Sequence, residues 1–91
     1  MKPGPAKLIR VDGTIEPVLP KNDEDFSLEE LQAFVGGCIE IVHPPSQAGA
    51  ILVVNEEGRL RGLPLNGIAT AVDGLDFVVG DALLCHTSQV R

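Results

Sequence analysis

The chain has 91 residues, of which 44% are hydrophobic, and its 13 acidic and 7 basic side chains give a net charge of −6. This length and apolar content predict one folded domain over residues 1–91 rather than a disordered chain. The negative charge argues against a protein that binds nucleic acid along its phosphates. The aromatic residues are three Phe, which leave little surface for stacking on bases.

The ends of the chain and its cysteines bear on location. No apolar run approaches the roughly 20 residues of a membrane-spanning helix, and residues 1–5 lack the apolar stretch of a signal peptide. Cys38 and Cys85 are too few for a disulfide framework and lie in apolar segments. We therefore expect a cytoplasmic protein with two buried thiols and a core at about 6–86. Residues 1–5 and 87–91 are expected to be loose termini.

A β-hairpin is predicted at the start of this core. Two strand-like runs, residues 6–11 and 14–19, flank the pair Asp12-Gly13. An Asp-Gly pair between such runs favours a tight reverse turn, because these residues tolerate positive φ. Pro17 has no N–H to donate, so the second strand is predicted to lie at a sheet edge or to end there.

A helix is predicted over residues 27–35. Ser27 and Glu30 have the spacing of a capping box, in which each side chain bonds the other residue's backbone N–H. Gly36 follows the last apolar residue and can end the helix in the left-handed conformation. Five acidic residues flank the helix start, where they suit the positive end of the helix dipole: Asp23, Glu24, Asp25, Glu29 and Glu30.

The middle of the chain predicts three further strands. Residues 38–43 alternate in polarity, whereas residues 50–54 are apolar at every position and therefore predict a central strand covered on both faces. Asn55 and Gly58 fit the first and fourth positions of a type I turn. Residues 59–61 would then return as a strand, with Leu60 directed inward.

The last third predicts a short helix and two closing strands. Asn66 can cap a helix at residues 67–72, although Gly67 is a poor helix former. Residues 75–79 and 82–86 are predicted to close the sheet. We thus expect an α+β fold, with a small mixed β-sheet packed against one main helix in the order ββαββ, short segment, β. This order is compatible with a β-grasp-like arrangement.

Catalytic and metal-binding patterns are weak in this sequence. Cys38 and His43 lie five residues apart on one predicted strand, and Cys85 and His86 are adjacent, so the members of each pair face opposite sides. No G-x-S-x-G or calcium-loop pattern is present. We therefore expect no enzyme, no metal site and no cofactor.

Two arginines stand out beside the predicted turn. Arg59 and Arg61 would share one face of the returning strand and could together grip a phosphate or a carboxylate. The alternative is that they pair across strands with Glu40, Glu56 or Glu57.

Four motifs in fixed order carry a family resemblance. They are LQ-x-x-VGG-x-IE at 31–40, NEEG at 55–58, GLP-x-N at 62–66 and VGD at 79–81. The pattern resembles domain-of-unknown-function family 3846, small proteins of bacteria, phages and plasmids, over about residues 6–86. The resemblance implies a mobile-element or accessory role. It brings no established reaction, cofactor or catalytic residue.

The block from 55 to 66 is the candidate functional region. It is either a turn and crossover that braces the fold or a recognition loop on a rigid sheet. We expect a small non-enzymatic binding protein that recognises a protein partner or a small ligand through this region. The candidate binding residues are Asn55, Glu56, Glu57, Gly58, Arg59, Arg61, Gly62, Pro64 and Asn66.

Two other functions stay open. The acidic cluster could mimic nucleic acid and block a host DNA-binding protein, and the chain could be an enzyme of unknown type with a deep pocket. Direct nucleic-acid or membrane binding is not expected. An open sheet edge would allow a homodimer as well as a monomer.

Overall fold

The computed structural model describes residues 4–90 of the chain. Within them lie five strands, two α-helices and one 3-10 helix: β1 (Ala6–Ile9), β2 (Ile15–Val18), α1 (Leu28–Val35), β3 (Ile39–Val42), β4 (Ala50–Asn55), α2 (Gly67–Asp73), β5 (Ala82–His86) and the 3-10 helix Thr87–Gln89.

The strands form one open sheet in the order β2-β1-β5-β4-β3. Every pairing in it is antiparallel. The α+β class is confirmed, but the expected mixed sheet is wrong, and with it the β-grasp-like arrangement considered from the sequence. The physical reason is the place of β5, which inserts between β1 and β4 and runs opposite to both.

The first hairpin and the first helix follow their local signals. β1 and β2 pair around Asp12-Gly13, with Gly13 at φ 92°, and β2, which contains Pro17, is an edge strand. Ser27 and Glu30 form both bonds of the capping box, and Gly36 ends α1 at φ 81°. The hairpin, the edge position and the capped helix are therefore confirmed.

The core has a layer on each face of the sheet, and β4 shows this directly. Ile51 and Val53 are buried toward α1, whereas Leu52 and Val54 are buried on the opposite face with Ala69 of α2. The strand is central and covered on both sides, as its continuous apolar run predicts. The second face is covered by α2 and the chain that follows it.

Two predicted strands are wrong. Residues 59–61 lie in a turn, and Leu60 is 90% exposed rather than directed inward. β4 already pairs with β3 on one side and β5 on the other, so a returning strand has no open edge beside it. Residues 75–79 form no strand either; their one sheet-like contact is an isolated bridge between Val79 and Leu65.

The expectation of loose ends is corrected at the C-terminus. Gln89 is buried, its Nε2 donates to the carbonyl of Gly4 at 3.2 Å, and Val90 forms a bridge with Phe26. These contacts fix the chain through residue 90. Predictions for residues 1–3 and 91 lie outside the described part.

The two cysteines have different surroundings. Cys85 is buried in β5, and burial raises the pKa of its thiol to about 11. Cys38 is exposed, because it lies in the bend between α1 and β3 rather than within a strand, so the expectation of a second buried thiol is wrong. No helix in residues 4–90 is both long enough and apolar enough to span a membrane.

Candidate functional site

Asn55 ends β4 and holds the start of the candidate region, loop 55–66, in place. Its side chain is 6% exposed. Its Nδ2 donates to the carbonyl of Val35 at 3.1 Å, and its Oδ1 accepts from the N–H of Glu57 at 2.8 Å. The amide therefore joins the end of α1 to the following turn. This is a bracing role, one of the two alternatives that the sequence left open.

The predicted turn at residues 55–58 is confirmed. The Gly58 N–H donates to the Asn55 carbonyl at 3.2 Å, while the side chains of Glu56 and Glu57 are exposed. Gly58 is buried, and a Cβ there would lie 2.8 Å from Cγ2 of Val79. The loop therefore lies against Val79 at a distance that only glycine allows.

Arg59 and Arg61 bind different parts of the molecule. Arg59 forms an ion pair with Asp76 at 2.9 Å and donates to the carbonyl of Phe77 at 2.7 Å. Arg61 donates to the carbonyl of Gly36, the C-cap of α1, at 2.8 Å. The predicted shared strand face of the two arginines is wrong, because both residues lie in a turn. Of the two alternatives, ion pairing applies to Arg59, but with Asp76 in place of Glu40, Glu56 or Glu57.

Asn66 is both a helix cap and a buried amide. It is 1% exposed, and its Oδ1 accepts from the N–H of Ala69 at 3.1 Å, which caps α2. Its Nδ2 donates to the carbonyls of Ile9 and Gly80, each at 2.9 Å. Both alternatives considered from the sequence are therefore correct, since this one side chain bonds α2, β1 and Gly80, which lies just before β5.

The second half of the loop supports residues 73–80, which we call segment 73–80. The Asn66 N–H donates to the Val78 carbonyl at 2.8 Å, and the Gly80 N–H donates to the Pro64 carbonyl at 2.8 Å. Gly62 adopts φ 67°, which lets the chain reverse before Pro64. The two stretches therefore run side by side.

A cleft of about 310 Å³ lies between β3, β4, the first half of the loop and segment 73–80. We call it the loop cleft. Its lining includes four carboxylates and one guanidinium beside apolar walls: Glu40, Val42, Val54, Asn55, Glu56, Arg59, Leu60, Asp73, Asp76, Phe77, Val78 and Val79.

Asp73 is the most buried acid of this lining. It ends α2 at 2% exposure, and its Oδ2 accepts from the N–H of Asp76 at 3.2 Å. Its Oδ1 has no hydrogen-bond partner within residues 4–90. Asp76, by contrast, is exposed; the Phe77 N–H and the Arg59 guanidinium donate to its carboxylate and hold its pKa below the ordinary value.

The profile of a family described as a domain of unknown function, DUF3846, matches residues 6–90, nearly the whole chain. The chain belongs to the DUF3846 family. No curated protein and no solved structure matches it. The DUF3846 description names no reaction and no ligand, so the function has to be argued from the geometry of the site.

This DUF3846 chain uses its predicted site residues in two ways. The loop cleft brings together Asn55, Glu56 and Arg59, while Gly58 packs beneath them. Five others, Glu57, Arg61, Gly62, Pro64 and Asn66, lie outside the cleft lining.

Sequence reasoning missed the opposite wall, formed by Glu40, Asp73, Asp76 and Phe77. The one local signal there is the Asp73-Gly74 pair, which indicates a turn and does not reveal that the Asp is buried. Among residues 4–90, no group of three or more His, Cys, Asp or Glu side chains is placed to share a metal ion.

Proposed function

We propose that this protein is a non-enzymatic binding protein that recognises a small ligand, or a side chain of a partner, in the loop cleft. The observation that supports this function is a rim of exposed side chains on a fixed backbone. Glu56, Arg59 and Leu60 project from a turn that Asn55 braces from beneath. Such preorganisation lowers the entropy lost on binding.

The size and walls of the cleft support the same function. Its volume of about 310 Å³ lies at the lower end of the range for small-molecule sites. Leu60 is 90% exposed and Phe77 is 66% exposed at its rim. When a ligand covers these exposed apolar side chains, their surface is removed from water, and this burial favours binding.

The proposal places recognition in part of loop 55–66. The side chains of Arg61 and Asn66 already form hydrogen bonds with the end of α1, with α2 and with β1. The binding surface is therefore the first half of the loop together with segment 73–80, and the second half is its support.

The test is a fragment screen read by amide chemical shifts. A library of small organic fragments is titrated into the ¹⁵N-labelled protein. We expect binders to shift the amides of residues 54–60 and 73–79. Replacing the apolar rim in a Leu60→Ser, Phe77→Ser double variant should weaken those binders about three- to tenfold, because less apolar surface is buried.

The matched control is Leu19→Ser, which replaces an exposed leucine that lies outside the cleft lining. It should leave the affinities unchanged. The proposal is wrong if the fragments shift amides mainly elsewhere, for example around Arg10 and Asp81 in a second groove, or if no fragment binds the loop cleft.

A further inference from the structure

Asp73 is an unusual residue for its position in the fold. It is a carboxylate at the last turn of α2, where the helix dipole and the terminal carbonyls are negative and where a cation is favoured. That turn contains no basic residue. An acid there gains nothing from the helix, in contrast to Glu29 and Glu30, which lie at the favourable end of α1.

The surroundings of Asp73 leave part of its hydrogen-bonding capacity unused. One oxygen accepts from Asp76, and the other has no partner in the part of the chain described. A buried acceptor without a donor loses its bonds to water without replacement, and the loss is greater when the group is charged. A donor brought by a ligand would satisfy this oxygen.

The loop cleft carries the charge that would attract such a donor. Four carboxylates, those of Glu40, Glu56, Asp73 and Asp76, face one guanidinium, that of Arg59, which gives the lining a formal charge of −3. Arg59 is bound to Asp76 by the ion pair. The remaining acids attract a positive group, and low-dielectric walls strengthen that attraction.

The apolar part of the lining defines the rest of the ligand. Val42, Val54 and Val78 line the cleft beside Asp73, and Phe77 stands at the rim. A bare metal ion would gain nothing from these side chains, whereas an alkyl chain would bury apolar surface against them. An aromatic face can also attract an organic cation.

We propose that the loop cleft binds the ammonium or guanidinium group of a small organic cation, with Asp73 as the acceptor and the valines around its alkyl portion. This inference rests on the proposed function, since it names the ligand class of the same cleft. A free amine and a basic side chain of a peptide share this chemistry.

The test uses defined probes and amide chemical shifts. n-Butylammonium and n-butylguanidinium represent free cations, N-acetyl-lysine N-methylamide represents a peptide side chain, and n-butanol is the neutral analogue. We expect the cations to shift residues 73–79 and 54–60 and to bind at least about fivefold more tightly than n-butanol. Whichever cationic probe binds more tightly identifies the source.

Asp73→Asn keeps the shape of the side chain and removes its charge. It should weaken each cation about tenfold, the effect of one charge-assisted hydrogen bond. The matched control is Glu24→Gln, which removes the same charge outside the cleft and should change affinity less than twofold. Should the Asn variant not fold, Glu40→Gln replaces it, with an expected loss of about two- to threefold because Glu40 is exposed.

The outcomes distinguish a wrong ligand class from a wrong binding function. Equal binding of n-butanol and n-butylammonium, or equal cation affinity in wild type and Asp73→Asn, would overturn the cation assignment. If neutral fragments bind the loop cleft and no cation does, the binding function stands and the ligand class is wrong. If neither binds there, both are wrong.

Discussion

Loop 55–66 and segment 73–80 run side by side, yet their side chains have different roles. In the loop, three side chains donate hydrogen bonds to backbone carbonyls outside the loop, namely those of Asn55, Arg61 and Asn66. In the segment, one carboxylate oxygen of Asp73 has no hydrogen-bond partner among residues 4–90, and Phe77 is exposed. The loop residues hold the backbone of the segment in position, and the segment carries much of the chemistry that we propose for binding.

This difference shows why a dense motif is an uncertain guide to a binding site. The special residues of the loop are needed because the backbone makes sharp turns close to other chains, as at Gly58 and Asn66. Such requirements exist whether or not a ligand binds. A buried side chain with an oxygen that has no partner among residues 4–90, as in Asp73, points more directly to function.

The largest expected effect is at Asn66, on which the support of the segment depends. Asn66→Ala removes two donors to buried carbonyls and the cap of α2. We expect a loss of about 3 kcal/mol in the free energy of unfolding. Asn55→Ala, which removes one donor and one acceptor, should cost about half as much.

The measurement is urea unfolding followed by far-UV circular dichroism, because the chain has no Trp or Tyr for fluorescence. A loss at Asn66 no larger than that at Asn55 would show that the loop is not the main support of segment 73–80, and the contrast between the two stretches would fail.

A second prediction concerns the contact between the two stretches. Gly58→Ala places a Cβ 2.8 Å from Cγ2 of Val79, a stiff β-branched side chain, so the segment must shift. We expect a cost of about 1–2 kcal/mol from overpacking. Gly67→Ala is the matched control: its Cβ meets nothing within 4 Å, and alanine favours the helix, so it should stabilise by a few tenths of a kcal/mol.

The same urea series measures both glycine variants. Amide chemical shifts add a structural readout, since Gly58→Ala should move the signals of residues 73–79 and Gly67→Ala should leave them in place. A neutral effect at Gly58 would mean that the two stretches are not in tight contact.

The sequence predicts well the features that short stretches determine. The capping box of Ser27 and Glu30, the stop at Gly36 and the turn at Asp12-Gly13 each depend on residues a few positions apart. The apolar run of β4 is equally local. These features establish the α+β class, and they also identify Asn66 as a cap.

The errors arise where distant parts of the chain compete. Residues 59–61 alternate in polarity like a strand, but β3 and β5 occupy both edges of β4. Asp73 has the sequence context of an ordinary exposed turn, and it is buried because segment 73–80 folds back onto the loop. Neither the competition for sheet edges nor that burial leaves a signal in neighbouring residues, so the far wall of the cleft could not be predicted.

The smallest expected effect is at the ion pair that joins the two stretches. Arg59 and Asp76 lie 2.9 Å apart, but their side chains are 60% and 64% exposed. Exposed pairs contribute about 0–1 kcal/mol and are screened by salt. Arg59→Met keeps most of the aliphatic chain and should lower the free energy of unfolding by about 0.5 kcal/mol or less.

Most of that small loss should vanish at 1 M salt, roughly where the screening length falls to about 3 Å. Arg61→Met is the comparison, because the Arg61 guanidinium donates to the Gly36 carbonyl at the end of α1 and this bond does not involve segment 73–80. A loss above about 1.5 kcal/mol at Arg59, unchanged by salt, would mean that the guanidinium's bond to the Phe77 carbonyl holds the segment. The backbone bonds and Asn66 would then be secondary, and the cleft would depend on one exposed side chain.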